Sequence, residues 1–95
     1  MRDKILKILK ENKEFLKKQY GITKLGLFGS VARDEKNPND VDILFDFNNS
    51  SFDLIDMVKV KHFLEDKLDK KVDFVPLKGL KEGIKQYIQK EVIYV

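Results

Sequence analysis

The chain has 95 residues, of which 42% are apolar and 37% charged, with no cysteine and a formal net charge of +3. This length suits one domain (1–95) with a single core, and no apolar run is long enough to span a bilayer. The absence of cysteine excludes disulfides and thiolate metal sites, and the charged N-terminus is unlike an export signal. We therefore expect a soluble, cytoplasmic protein.

The charge is divided unevenly along the sequence. Eight basic residues face three acidic ones over 1–24, whereas six Asp and one Glu face a single Lys over 34–56. A basic segment is typical of a polyanion partner and an acidic segment of a bound cation. A solvated, Lys-rich helix face explains the basic segment more simply, so a nucleic-acid partner is not favoured.

The first predicted element is a helix over 2–19. Ile5, Leu9 and Leu16 recur at helical spacing while lysines fill the other side. Gly21 follows, at the point where a helix favours a residue in the left-handed conformation. These signals together predict an amphipathic helix packed on a core.

Two strands are predicted next, separated by a turn and a loop. The first covers 22–28, between two glycines, and "SVARDE" leaves room for only one turn of helix before Pro38 interrupts the loop. The second strand covers 40–47. Its period of two places Val41, Ile43 and Phe45 on one face and Asp40, Asp42, Leu44 and Asp46 on the other.

The second half of the chain predicts two more helices around a third strand. A helix over 52–68 follows "NNSS", which we interpret as its N-cap cluster. Its predicted apolar stripe comprises Ile55, Val58, Phe63, Leu64 and Leu68. The strand "KKVDFVP" turns Asp73 away from its apolar neighbours, a last helix covers 80–90, and "EVIYV" is a candidate short strand. The order predicts an α+β fold, with a small mixed or antiparallel sheet of three to four strands backed by helices.

The acids of the second strand raise a chemical question. Alternate residues of a strand lie roughly 7 Å apart on one face, so Asp40 and Asp42 can converge above the sheet. Such carboxylates repel unless a cation lies between them, and Mg²⁺ prefers oxygen ligands of this kind. Asp73 would be a third ligand if its strand lay alongside, whereas Asp46 is too far along the strand. The alternative is that these acids only line a solvated face.

A Gly-Ser turn precedes the acidic strand. Gly29 allows the backbone to approach a ligand closely, and Ser30 begins a short helix whose N-terminus attracts anions. The glycine spacing and the Lys-Ser/Thr pair of a Walker A loop are missing. Gly-Ser alone is a weak signal, but an Asp-x-Asp strand beginning ten residues after Ser30 makes the combination much more specific.

The stretch "GSVARDEKNPNDVDILFDF" resembles the signature of the DNA polymerase β-type nucleotidyltransferase superfamily. Nearly the whole chain resembles its minimal nucleotidyltransferases, the MNT-domain antitoxins encoded beside HEPN-domain toxins. The resemblance implies a polymerase β-like fold and transfer of a nucleoside monophosphate, AMP from ATP, to a tyrosine hydroxyl of the HEPN partner. It also implies that Asp40 and Asp42 bind two Mg²⁺ ions and that Asp73 completes the metal site near the attacking hydroxyl.

The same resemblance assigns the nucleotide site. Gly29 and Ser30 would hold the triphosphate, and Arg33 would contact phosphates or brace the acidic loop. The chain departs from the family pattern at Asp34, where the family usually has Gly, and at Asn39, where it usually has Ser. Asp34 adds a negative charge that would weaken triphosphate binding, but neither change removes a ligand.

Two other functions remain open from the sequence. The chain could neutralise its partner by binding alone, through apolar residues near its C-terminus such as Tyr87, Ile93 and Tyr94, although packing within the fold explains these residues as well. It could instead transfer nucleotides to a small molecule or an RNA end. His62, the only histidine, lies among Lys and Glu in a predicted helix, and we expect no catalytic role for it.

Overall fold

The computed structural model describes residues 1–36 and 40–95. The loop positions Pro38 and Asn39 lie outside these residues. The described residues form four helices and four strands. The helices are α1 (Arg2–Tyr20), α2 (Gly29–Ala32), α3 (Leu54–Leu68) and α4 (Glu82–Glu91). The strands are β1 (Ile22–Phe28), β2 (Val41–Phe47), β3 (Val72–Pro76) and β4 (Ile93–Tyr94).

The strands form one mixed sheet in the order β3-β2-β1-β4. β1 runs antiparallel to both β2 and β4, whereas β2 and β3 are parallel. Parallel neighbours need a crossover connection, and α3 provides it here. The predicted α+β fold with a small mixed sheet is therefore confirmed.

The core lies between one face of the sheet and helices α1 and α3. The inward residues of β2 (Val41, Ile43 and Phe45) are fully buried, as their alternation predicts. The ring of Phe45 stacks on that of Phe74 in β3, with 3.8 Å between the ring centroids. A shift of either strand by one residue would move these rings to the opposite face, so the packing fixes the register of β2 against β3.

Helix α1 agrees closely with its sequence pattern. Ile5, Leu9 and Leu16 are buried, and Gly21 ends the helix by donating its N–H to the carbonyls of Leu16 and Lys17. Among the helices of the described ranges, none is both long and apolar enough to cross a bilayer.

Helix α3 differs from its prediction at its start. The N-cap is Asp53 rather than a residue of "NNSS". An Asp53 carboxylate oxygen accepts the N–H of Asp56 at 2.9 Å, and the Asp56 carboxylate accepts the N–H of Asp53 at 3.2 Å. This reciprocal capping box satisfies two backbone donors at once, which explains why the helix begins later than predicted.

The buried face of α3 also differs from the predicted stripe. Val60, Leu64 and Leu68 lie four residues apart and are buried, whereas Ile55 and Val58 are 65% and 47% exposed. The latter two point away from the sheet because they lie on the opposite side of the helix from the 60–64–68 row. Helix α4 likewise begins at Glu82, two residues later than predicted, and the short closing strand β4 is confirmed.

Candidate active site

Asp42 and Asp73 lie side by side on the sheet face opposite the aromatic stack. They are direct register partners in the parallel pair β2–β3, so their side chains leave the same face. The N–H of Val41 donates to the Lys71 carbonyl at 2.9 Å, which anchors the start of this pairing. The structure therefore brings together these two acids, which lie far apart in the sequence.

The electrostatics of Asp42 reflect its acidic surroundings. Burial of its carboxyl group, followed by repulsion from Asp73 and Asp40, raises the pKa of Asp42 to about 6, although the Arg33 charge acts in the opposite direction. Asp40 is exposed and lies immediately before β2. A cation bound among these carboxylates would relieve the repulsion.

The carboxylates of this region fit a Mg²⁺ ion that takes only one or two of its ligands from the protein. Within 1–36 and 40–95, no group of three or more His, Cys, Asp or Glu side chains is arranged to hold a metal ion. Mg²⁺ is commonly held by one or two carboxylates together with water and substrate phosphates, rather than by a cage of protein ligands. The facing carboxylates of Asp42 and Asp73 suit that mode of binding.

Gly29 lies against Asp42. It is the first residue of α2, its φ is +75°, and a Cβ atom added to it would lie 2.0 Å from Oδ2 of Asp42. Any side chain would therefore be strained and would also collide with the carboxylate. Sequence reasoning expected a close approach of the backbone to a ligand, and in the structure the group that approaches is Asp42. Ser30 follows, half-buried, at the same turn.

Arg33 lies between two carboxylates. Its Nε donates to Glu35 at 2.7 Å and its Nη1 donates to Glu91 at 2.8 Å. These hydrogen bonds, that of Glu35 first, raise the pKa of Arg33 further above its ordinary value. Arg33 therefore joins its own turn to the end of α4 through these two ion pairs.

Glu91 is the residue of this region that sequence reasoning missed. Glu91 is the last residue of α4. One oxygen of its carboxylate accepts the hydrogen bond from Arg33, and the other accepts the N–H of Gly29 at 3.1 Å. Its sequence neighbours, Lys90 and Val92, give no sign of a partner 62 positions away. Only the fold brings α4 against the Gly-Ser turn, so no local pattern could have found this contact.

Asp34 occupies the position where the resembled family usually has Gly. Its φ is +58°, within the left-handed region that glycine adopts without strain. The backbone thus keeps the conformation that glycine favours, and Asp tolerates it better than most residues.

Asp46 lies on the same face of β2 as Asp42 but belongs to a different interaction. Its carboxylate accepts a hydrogen bond from Nζ of Lys78, which also donates to the Phe47 carbonyl and lies over the Phe47 ring. Asp46 thus stands apart from the other acids, as its distance along the strand predicts. His62 is exposed on α3.

The C-terminal apolar residues divide between surface and interior. Tyr87 and Tyr94 are 65% and 43% exposed. Ile93 is partly buried against the core. Ile84, one turn before Tyr87 on α4, is also exposed.

Comparison with known proteins identifies the family. The nucleotidyltransferase domain family matches residues 3–95. A protein adenylyltransferase MntA of Thermococcus cleftensis is 37% identical over 94 residues, covering 98% of this chain and 94% of that protein.

Solved structures show the same fold. A protein described as a candidate minimal nucleotidyltransferase superposes with a TM-score of 0.74 at 32% identity, covering 93% of each chain. An MNT antitoxin in complex with a tri-AMPylated HEPN toxin, from Shewanella oneidensis, superposes with a TM-score of 0.63 at 24% identity, covering 98% of this chain and 66% of that one. The chain therefore belongs to the nucleotidyltransferase domain family, as a transferase of the minimal, MntA-like type.

Proposed function

We propose that this chain transfers AMP from ATP to a tyrosine hydroxyl of a HEPN-domain toxin and so acts as its antitoxin. The observation that carries the proposal is the pairing of Asp42 with Asp73 beside the Gly29 turn, in a chain of the nucleotidyltransferase family. The adenylyltransferase relative and the complex of an MNT antitoxin with an AMPylated toxin support the donor and the partner.

We assign the acidic residues to the metal. Asp40 and Asp42 would hold two Mg²⁺ ions, with Asp73 completing the site. When bound at such carboxylates, Mg²⁺ lowers the pKa of an attacking hydroxyl and neutralises the charge of the triphosphate and its leaving group. The repulsion that raises the pKa of Asp42 is consistent with a site that gains from a cation.

The remaining residues would position the donor. Gly29 and Ser30 would offer backbone and side-chain donors to the triphosphate, and Arg33 would add positive charge beside them. In the reaction, the acceptor oxygen bonds to the α-phosphorus, and the bond from that phosphorus to the pyrophosphate oxygen breaks. We assign the hydroxyl proton to Asp73, because it is exposed and, of the three acids, the least committed to the triphosphate.

The test is transfer to a purified partner. The protein is incubated with Mg²⁺, labelled ATP and the HEPN-domain protein encoded beside its gene, and the partner is analysed by mass spectrometry for added AMP. We expect addition by the wild type and by Asp46→Asn, and none by Asp42→Asn. The two variants are matched, since they remove one charge each from the same face of β2. Absence of AMP on the partner with wild-type protein would contradict the proposal.

Neutralisation by binding alone is the second candidate. The exposure of Ile84 and Tyr87 on one side of α4 favours it, because apolar side chains at such spacing are suited to a protein interface. The two functions differ in their dependence on the acids. Asp42→Asn should abolish neutralisation of the toxin if transfer is required, and should leave it intact if complex formation suffices.

A further inference from the structure

The carboxylate of Glu91 occupies two of the donors assigned above to the nucleotide. One oxygen accepts the Gly29 N–H at 3.1 Å and the other accepts Nη1 of Arg33 at 2.8 Å. The Glu91 side chain is only 18% exposed, so it is held in place rather than extended into solvent. The contact joins the end of α4 to the Gly-Ser turn.

A phosphate oxygen and this carboxylate would compete for the same groups. The backbone of Gly29 has a single N–H, which makes one good hydrogen bond at a time. The guanidinium of Arg33 has further N–H donors, but its charge is already shared between Glu35 and Glu91. A triphosphate that approaches Arg33 therefore meets two carboxylates as well as one cation.

We propose that the carboxylate of Glu91 is an internal anion that the nucleotide triphosphate displaces from Gly29 and Arg33. This inference rests on the proposed function, because it assumes that these groups bind the donor nucleotide. Glu91 then lowers the affinity of the free protein for triphosphates. It does so selectively, because a nucleotide that lacks the β- and γ-phosphates does not compete for its partners.

The experiment compares wild-type protein with Glu91→Gln. Gln keeps the size of the side chain and an oxygen for Gly29, but it loses the charge that binds Arg33. Affinities for AMP-PNP and for AMP are measured by calorimetry in Mg²⁺. We expect Glu91→Gln to bind AMP-PNP about threefold to tenfold more tightly and to bind AMP with unchanged affinity.

Three further variants serve as controls. Glu82→Gln removes a charge from the first turn of the same helix and should leave both affinities unchanged. Glu35→Gln removes the other partner of Arg33 without touching Gly29, and should give a smaller gain for AMP-PNP. Glu91→Ala removes the carboxylate completely and should act in the same direction as Glu91→Gln.

Several outcomes would overturn the inference. Equal or weaker binding of AMP-PNP by both Glu91 variants would show that Glu91 does not compete with the nucleotide. Tightening for AMP and AMP-PNP alike would assign Glu91 a general electrostatic effect. Failure of both variants to fold, judged by circular dichroism, would assign Glu91 to the fold. Lack of AMP-PNP binding by the wild type and by every variant would instead contradict the proposed function itself.

Discussion

A Cβ atom at Gly29 would lie 2.0 Å from Oδ2 of Asp42, far inside van der Waals contact. The glycine of the Gly-Ser turn is thus required by the acid next to it as well as by its own φ of +75°. Two parts of the sequence motif, the turn and the first acid of β2, are therefore coupled sterically before any ligand binds.

Gly29→Ala is predicted to impair both folding and transfer. The left-handed φ and the collision with Asp42 together should lower the free energy of unfolding by roughly 2–4 kcal/mol. Transfer should fall by about a hundredfold or more, because the carboxylate must move to make room. Urea denaturation and the AMP-transfer assay measure the two effects.

Substitutions at two other glycines distinguish the cost of the left-handed φ from the cost of the collision with Asp42. Gly79 has a φ of +87° with nothing described within 4 Å of an added Cβ, so Gly79→Ala should cost only the strain, about 1 kcal/mol. Gly83 lies in α4 without a positive φ, so Gly83→Ala should stabilise by about 0.5–1 kcal/mol. Equal losses for the Gly29 and Gly79 variants would refute a clash with Asp42.

Asp42→Asn is predicted to stabilise the metal-free protein while abolishing transfer. The pKa of Asp42 rises from an ordinary value near 3.8 to about 6, so from pH 4 to pH 6 the folded state holds a proton that the unfolded state has lost. Stability from this group therefore falls as pH rises through that window. Above pH 6 the variant should be more stable by about 1 kcal/mol, allowing for solvent screening, as measured by urea denaturation at pH 4.5 and pH 7.5.

Asp46→Asn should change the free energy of unfolding in the opposite direction to Asp42→Asn. Partial burial alone would raise the pKa of Asp46, but hydrogen bonds from Lys78 and from the Phe47 amide hold that pKa below its ordinary value. The ionised carboxylate therefore stabilises the fold above the unfolded pKa, and this stabilisation is lost as pH falls through the lowered pKa. We expect Asp46→Asn to lose stability at neutral pH and to keep its transfer activity. A gain in stability would contradict the ion pair with Lys78.

Substitutions at Asp34 distinguish the effect of its backbone conformation from the effect of its negative charge. Asp34→Gly should stabilise the protein by up to about 1 kcal/mol, since the φ of +58° favours glycine. Asp34→Asn keeps a residue that tolerates this conformation but removes the charge near Arg33. If the charge weakens nucleotide binding, both variants should lower the KM for ATP; if only Asp34→Gly does so, the backbone is responsible.

Phe74→Ala is predicted to disturb the positions of the acidic side chains, although Phe74 lies on the opposite face of the sheet. Loss of the ring that stacks on Phe45 should cost about 3–5 kcal/mol and loosen β3 against β2, which displaces Asp73. Phe15→Ala is the control, because Phe15 stacks on Phe63 at 5.1 Å but is 47% exposed. We expect a small loss of stability and full transfer for the control, measured by thermal unfolding and the same assay.

The alternation of β2 made its buried face and its acidic face predictable, because a period of two leaves few choices. The pairing of Asp42 with Asp73 was expected only on condition that the third strand lay alongside, and local sequence does not decide strand order. The sequence pattern predicts the start of α3 too early, because each polar residue of "NNSS" is as plausible an N-cap as Asp53, which forms the reciprocal cap with Asp56. Its buried face was misjudged because apolar residues, Ile55 among them, lie on both sides of the helix.

The position of β3 at the edge of the sheet has a consequence for how the two substrates reach the site. Gly29 follows β1, Asp42 lies on the inner strand β2, and Asp73 lies on β3, so the three stand in a row across the sheet. We expect the donor nucleotide to enter from the β1 side and the acceptor hydroxyl to arrive past the open flank of β3. Within the described residues no further strand pairs with that flank, so under the proposed function the edge of the sheet does not restrict the size of the acceptor, and a folded protein could present its hydroxyl there.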